Sequence, residues 1–311
     1  MSPPLGHSVQ RDTGSTLLAR SRDRAALIPD LLVSAKQVAN TVLAGWHGRR
    51  RRGVGENFWQ FRHYVEGEDL SAIDWRRSAR DDQIFVRDRE WQASHTIWLW
   101  VDESPSMLFR SKTAQVSKQS RALVLAFAMA ELLARSGERV GWIGVQSPIS
   151  HRHAAERLAN ALMVSAPQTE IKDTSLIRDF SDVILISDFL SDNENLADTL
   201  QVLSKIRVKA HLVQVVDPAE ETFPYAGRVE FRDPETGERL TSGAAQTLRD
   251  DYHGIFSAHT ISLANLAKRL GWTHTLHHTD KFASEALVSL HLKMSAGISD
   301  FQSNSNHNGG A

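Results

Sequence analysis

An acid that ends a buried strand, with hydroxyls at alternate positions beyond it, is suited to holding a hard cation. The segment Ile97-Trp-Leu-Trp-Val-Asp102-Glu-Ser104-Pro-Ser106 has that form. A second apolar run, Val183-Ile-Leu-Ile, ends in Ser187-Asp188. If the two runs are adjacent parallel strands, Asp102, Ser104, Ser106 and Asp188 meet on one rim, where open α/β sheets bind their ligands. Magnesium takes about six oxygen ligands at roughly 2.0 to 2.1 Å and keeps several waters, so Mg2+, or Mn2+ in its place, is the expected cofactor. Two carboxylates leave a dication formally neutral, and a vacant coordination position then favours a carboxylate from a partner protein. Acids and hydroxyls at such spacing also cap helices; the strand-end placement and the matching Ser187-Asp188 favour the cation.

Other chemistries find less support. Glu103 lies inside the same loop, but no serine-histidine pairing or nucleophile elbow surrounds Ser104 or Ser106. No Gly-rich, phosphate-cradling loop precedes a helix. A Mg-dependent hydrolase or phosphotransferase using Asp102 and Asp188 is the rival reading, since acids at adjacent strand ends also serve phosphoryl chemistry. The aspartyl-nucleophile pattern, however, wants a second acid where Ser104 stands. A third reading is an interaction module whose site is degenerate and metal-free. His274, His277 and His278 have loosely metal-like spacing, but on a strand and the loop after it they point to different faces. Arg49 to Arg52, with Phe58 and Trp59 nearby, suit a solvated loop or an acidic partner better than nucleic acid.

The elements that must position the rim alternate from Thr96 onward. Strands are expected at 96–101, 140–145, 183–186, 210–216 and 272–276, with helices near 118–135, 153–164, 193–206, 244–270 and 284–294. Such alternation implies a doubly wound, mostly parallel α/β sheet covered on both faces. Residues 228–241 read as strand, Pro/Gly turn and strand, a hairpin leaving the sheet. Ahead of the sheet, residues 16–46 carry apolar positions at helical spacing, with Pro29-Asp30 placed to start a helix, so one or two helices are expected. The expected organisation is a helical arm over 1–48, a β-rich insertion over 49–95, the α/β domain over 96–296 and a disordered tail over 297–311.

Composition sets outer bounds. The 311 residues are 41% hydrophobic and 23% charged, within the ordinary globular range. A net charge of -1 offers no global field toward nucleic acid or acidic membranes. The chain has no cysteine, which excludes disulfides and thiolate chemistry and fits a reducing compartment. Residues 1–24 lack the apolar core of a signal peptide. The longest apolar run, 122–130, ends at Glu131, well short of the roughly 20 residues that cross a bilayer. A cytoplasmic protein without a membrane span is the expectation.

The Asp102-x-Ser104-x-Ser106 element with Asp188 resembles the metal-ion-dependent adhesion site of von Willebrand factor A domains. In that family the first Asp and both serines surround the ion, a middle-loop threonine assists and a later Asp completes the shell. The resemblance implies these roles for Asp102, Ser104, Ser106 and Asp188, with Thr174 or Thr169 as the threonine. Both threonines lie closer to Asp188 than the family pattern places them.

A longer resemblance runs through Gly53-x-Gly55-Glu56-x-Phe58, Arg62-x-Tyr64, Gly67-Glu68-Asp69, Ile73-Asp74-Trp75 and Ser78-Ala79-Arg80. It continues in Asp217-Pro218-Ala-Glu220, Pro224 and Asp233-x-Glu235-Thr236-Gly237-Glu238. These segments are similar to the bacterial domain-of-unknown-function 58 family, which usually has Asp where Glu68 stands and Arg where Ser71 stands. The resemblance implies a von Willebrand factor A-like domain with an N-terminal insertion and a partnership with a MoxR-type AAA+ ATPase in assembly or metal insertion; the residues themselves lead to the expectation of a non-enzymatic binding protein. Many relatives carry N-terminal membrane helices. Arg62, Tyr64, Asp69, Asp74, Trp75, Ser78 and Arg80 form the signature of the insertion. They read as a partner surface or, preferentially, as a buried Asp74 paired with Arg beneath the Trp75 indole.

Overall fold

The computed structural model describes residues 14–47, 60–65, 73–80, 83–88, 95–171, 173–190 and 194–305. Two compact units emerge, one made of Ala44–His95 and the other of the remaining chain.

A single helix, α1 (Gly14–His47), opens the larger unit and runs through Pro29. The expected helix start at Pro29-Asp30 is therefore corrected. A proline in a helix interior costs about 3 kcal/mol, and tertiary packing offsets it here. Ile28, Ala35, Ala39 and Val42 are buried at spacings of seven, four and three, the stripe of a helix packed along one face. Arg24 is buried one turn before Ile28.

The smaller unit holds β1 (Gln60–His63), the one-turn helix α2 (Trp75–Ser78) and β2 (Phe85–Asp88). β1 and β2 pair antiparallel, with Arg62 opposite Val86. The Ser78 hydroxyl accepts the Phe85 N–H at 2.9 Å and donates to the Asp74 carbonyl at 2.9 Å, tying α2 to β2.

The remaining elements are β3 (Thr96–Val101), α3 (Lys118–Arg135), β4 (Arg139–Trp142), β5 (Gln146–Ile149), α4 (Ala154–Val164), β6 (Asp182–Ser187), α5 (Glu194–Lys205), β7 (Lys209–Val216), α6 (Pro218–Thr222), β8 (Val229–Arg232), β9 (Arg239–Ser242), α7 (Arg249–Arg269), β10 (Thr273–His278) and α8 (Ala283–Ser305). Six strands form one sheet in the order β10-β7-β6-β3-β4-β5. All neighbours are parallel except β4 and β5. This is the doubly wound order, with its reversal at β3. The expected strand over 140–145 is instead β4 followed by a turn into β5.

β3 and β6 are buried along nearly their whole length, which explains their continuous apolar runs. Trp98 and Trp100 pack with Val183, Leu185 and Leu212 and with Leu203 of α5 and Leu263 of α7. The opposite parity meets α3, whose Phe127 ring lies 5.9 Å from that of Trp142. Gly141 of β4 is where a side chain has no room, because a Cβ there meets Pro148 and the Trp98 indole at 3.0 Å.

α8 extends to Ser305, which corrects the tail boundary at 297. Ile298 and Phe301 continue the helical spacing from Met294, so the periodic pattern outlasts the expected end. The remaining expected tail, 306–311, lies outside the described residues. Among the described residues no helix is long and apolar enough to cross a membrane.

Candidate functional site

β3 and β6 are adjacent and in register, with Val101 opposite Ile186. The Asp102 N–H continues the ladder to the Ile186 carbonyl at 2.9 Å. Asp102 and Ser187-Asp188 therefore leave the sheet on the same rim, as their strand-end positions imply. Asp102 Oδ1 accepts the Ser104 N–H at 2.8 Å, and Oδ2 accepts the Ser187 hydroxyl at 2.7 Å. The Ser104 and Ser106 hydroxyls lie 3.1 Å apart. Burial pushes the Asp102 carboxyl up to about 6, with the Asp188 charge adding to the rise and the hydrogen bonds from Ser187 and Ser104 opposing it.

Asp188 is already paired. Its Oδ2 accepts from the Lys118 ammonium at 2.7 Å, and its Oδ1 accepts the Leu190 N–H at 3.1 Å. Lys118 is 1% exposed and also contacts the Glu220 carboxylate. Burial alone pulls this ammonium down, but Asp188 and Glu220 outweigh it and hold Lys118 above its ordinary value, so it stays charged. Asp217, at the end of β7, is wholly buried. It caps α6 by accepting the Ala219 N–H at 2.9 Å, and it accepts the Ser111 N–H at 2.8 Å. Three neighbouring parallel strands, β3, β6 and β7, thus each present an acid on this rim.

Glu103 is committed elsewhere. Its two oxygens accept from Arg24 Nη1 at 2.8 and 2.7 Å, and Arg24 Nη2 reaches the Leu162 carbonyl at 2.6 Å. The Glu103 carboxylate also accepts the Gln168 N–H at 2.9 Å. This fixes the middle loop at the residue before Thr169. The described contacts of Thr174 are local, its carbonyl accepting the Ile177 N–H at 3.0 Å. The middle loop is thus held against Glu103 at Gln168, one residue before Thr169 and six before Thr174.

The hydroxyl loop has one further neighbour. Glu235, at the tip of the β8–β9 hairpin, accepts the Ser106 N–H at 2.9 Å through Oε1.

Among the described residues no three acidic or histidine side chains converge closely enough to hold a metal by themselves, so a cation here needs the hydroxyls. Neighbouring ligands of an octahedral ion at roughly 2.1 Å stand about 3.0 Å apart, and the Ser104–Ser106 separation of 3.1 Å fits such an edge. Asp102, pushed up by burial, is the carboxylate that a cation relieves. The opposing feature is Lys118, whose charge already answers Asp188.

In the smaller unit the expected arrangement beneath an indole is corrected. Asp74 caps α2, its Oδ1 accepting the Arg77 N–H at 3.0 Å. Trp75 is 63% exposed. A helix of one turn with no buried residue offers nothing to cover an indole. Arg80 is exposed and Tyr64 half-buried, with the Tyr64 N–H donating to the Ile84 carbonyl at 2.9 Å. Asp69, the Gly53 to Phe58 segment, Arg49 to Arg52 and Trp59 lie outside the described residues.

His274, His277 and His278 serve separate neighbourhoods. His274 Nε2 meets Gln214 Oε1 at 3.1 Å, and His278 Nε2 meets Glu221 Oε2 at 2.6 Å. His277 is buried and held down to about 4 by that burial and by Arg121.

Sequence reasoning missed Lys118, Arg24 and the positions of Asp217, Glu220 and Glu235. One signal was available: Lys118 is the first residue of α3, where a cation opposes the helix dipole and needs another reason to be there. The Asp217 strand end was also legible by the logic used for Asp102.

A family model described as "Protein of unknown function DUF58" matches residues 60–261. Two uncharacterized proteins, Mb1516 of Mycobacterium bovis and Rv1480 of Mycobacterium tuberculosis, are each 27% identical over 265 residues, covering 79% of this chain and 82% of theirs. Among solved structures, an aerotolerance-related membrane protein from Bacteroides fragilis aligns at TM-score 0.40 and 13% identity, over 65% of this chain and 100% of that one. BatB from Bacteroides thetaiotaomicron aligns at TM-score 0.38 and 15% identity, over 65% and 100%.

Proposed function

The chain belongs to the DUF58 family of proteins of unknown function, and on that premise we propose that it is a non-catalytic binding module whose rim engages an acidic side chain of a partner protein through a divalent cation. The observation that carries this reading is the Ser104–Ser106 hydroxyl pair, 3.1 Å apart, in front of Asp102, whose carboxyl in turn feels the Asp188 charge. Ser104 and Ser106 are the direct ligands, with Asp102 and Asp188 behind them and Thr169 nearby. Mg2+ or Mn2+ supplies the positive centre for the incoming carboxylate. The partner is a MoxR-type AAA+ ATPase or its client, met in the cytoplasm.

Two features weigh against the hydrolase reading. Both Asp102 oxygens are engaged, and the residue is 3% exposed, so it makes a poor nucleophile. Glu103, the other acid in the loop, is neutralised by Arg24. A metal-free interaction module is the second reading, favoured by Lys118, whose ammonium stands against Asp188 as a built-in cation.

Calorimetric titration of Mn2+ and Mg2+ into wild type and Asp102→Ala separates these readings. Uptake by wild type that is lost in the variant supports the cation site; equal, null titrations sink it. Co-purification with a MoxR-type AAA+ ATPase, with and without chelator, tests the partner.

A further inference from the structure

The partner-facing loop is not free in this chain. Ser106 N–H donates to Glu235 Oε1 across 129 residues of sequence. That carboxylate is delivered by a shaped tip. Asp233 Oδ1 accepts the Glu235 N–H at 2.8 Å, and Asp233 Oδ2 accepts the Thr236 hydroxyl at 2.7 Å. Gly237, at φ +76°, closes the turn with its N–H on the Asp233 carbonyl at 2.9 Å. On β8, two residues before the turn, Phe231 stacks on Phe223 at 5.6 Å and meets Tyr225 edge-on at 5.3 Å. An aromatic anchor beside a fixed turn places an acid on the rim.

Charge makes this placement informative. Asp102 and Asp188 already stand there, and the buried Lys118 is taken by Asp188 and Glu220. A further carboxylate adds to the negative charge of this rim, and what it gains there is the Ser106 N–H.

We propose that Glu235 is the rim's internal occupant: the hairpin holds its carboxylate on the Ser104–Ser106 loop, where an acidic side chain of the partner protein engages, and the partner binds by displacing it. This inference rests on the proposed binding role and adds the state of the site before the partner arrives. Glu235 is only half-buried, and the contact with Ser106 is a single hydrogen bond, so the side chain can leave while the hairpin stays folded. A competing internal ligand lowers the apparent affinity by the fraction of molecules in which the site is open.

The test uses fluorescently labelled hexaglutamate as the acidic probe, titrated into wild type and Glu235→Gln with excess Mg2+ and again with chelator. The expected result is binding about tenfold or more tighter in Glu235→Gln. Equal or weaker binding in the variant, including none in either protein, overturns the internal-occupant proposal. Hydrogen exchange on wild type is the second measurement and does not depend on a variant that folds. Saturating hexaglutamate should change exchange at the Ser106 amide, which loses Glu235 as its acceptor, while the Glu235 and Gly237 amides stay held by Asp233; bound peptide that leaves the Ser106 amide unchanged also overturns the proposal. Mn2+ titration of both proteins keeps the two readings apart. No Mn2+ uptake with tighter hexaglutamate binding in Glu235→Gln removes the cation and supports the internal occupant; Mn2+ uptake with no gain for hexaglutamate does the reverse.

Discussion

The Lys118 ammonium lies 2.7 Å from the Asp188 carboxylate, with both residues within 1% of full burial. A lysine at the start of one helix thus supplies the positive charge at the end of a strand 70 residues away. The pair holds α3 to the sheet at the point where the candidate site is built.

Removing one partner leaves an uncompensated buried charge, which costs about 3 to 5 kcal/mol. Lys118→Met is therefore expected to lose that much stability in urea unfolding. Because the variant frees Asp188, saturating Mn2+ should restore part of the loss, by an amount that grows with the logarithm of ion concentration. No response of the variant to Mn2+ counts against a cation beside Asp188.

Arg24 and Glu103 make the corresponding link between α1 and the site loop. Arg24→Met is expected to cost about 3 to 5 kcal/mol. Adding Glu103→Gln removes the stranded charge while keeping an acceptor for Gln168, so the double variant should be more stable than the sum of the single losses by about 1 to 3 kcal/mol. Strict additivity in the unfolding cycle would show the pair to be uncoupled.

The raised Asp102 carboxyl predicts a pH dependence. Its value goes from 3.8 in the unfolded chain to about 6 in the fold. The folded state therefore holds the proton more tightly, and the associated stability is complete below pH 3.8 and lost as pH rises toward 6. A rise of about two units at about 1.4 kcal/mol each amounts to about 3 kcal/mol. In metal-free buffer, Asp102→Asn should gain on wild type as pH goes from 4 to 7, and Mn2+ affinity of wild type should increase over the same range as the ion displaces the proton. A stability difference that stays flat with pH would contradict the assignment.

Gly141→Ala should destabilise by about 1 to 3 kcal/mol, because its Cβ presses on the Pro148 backbone and the Trp98 ring at 3.0 Å. Thermal unfolding reads this directly. An unchanged Tm would mean that β5 shifts to accept the methyl group.

The parallel sheet and its rim were legible in the sequence, because strand burial and strand ends are local properties. An apolar run such as Val183 to Ile186 buries on both faces wherever it lies, and an acid after it falls at the strand's C-terminal end. Asp102 and Asp188 could accordingly be placed together from their own neighbours in sequence. The course of α1 through Pro29 was not legible, since its packing against the rest of the unit, and not local propensity, decides it.

The pairings were decided by tertiary structure alone. With 36 basic and 37 acidic side chains in the chain, sequence does not say which cation meets which acid. Lys118 with Asp188, Arg24 with Glu103 and Glu235 with Ser106 are separated by 70, 79 and 129 residues. Such contacts depend on where helices and hairpins dock, because a charge or hydrogen bond acts strongly only over a few ångströms in a dry interior. Local pattern set the rim; docking chose what stands against it.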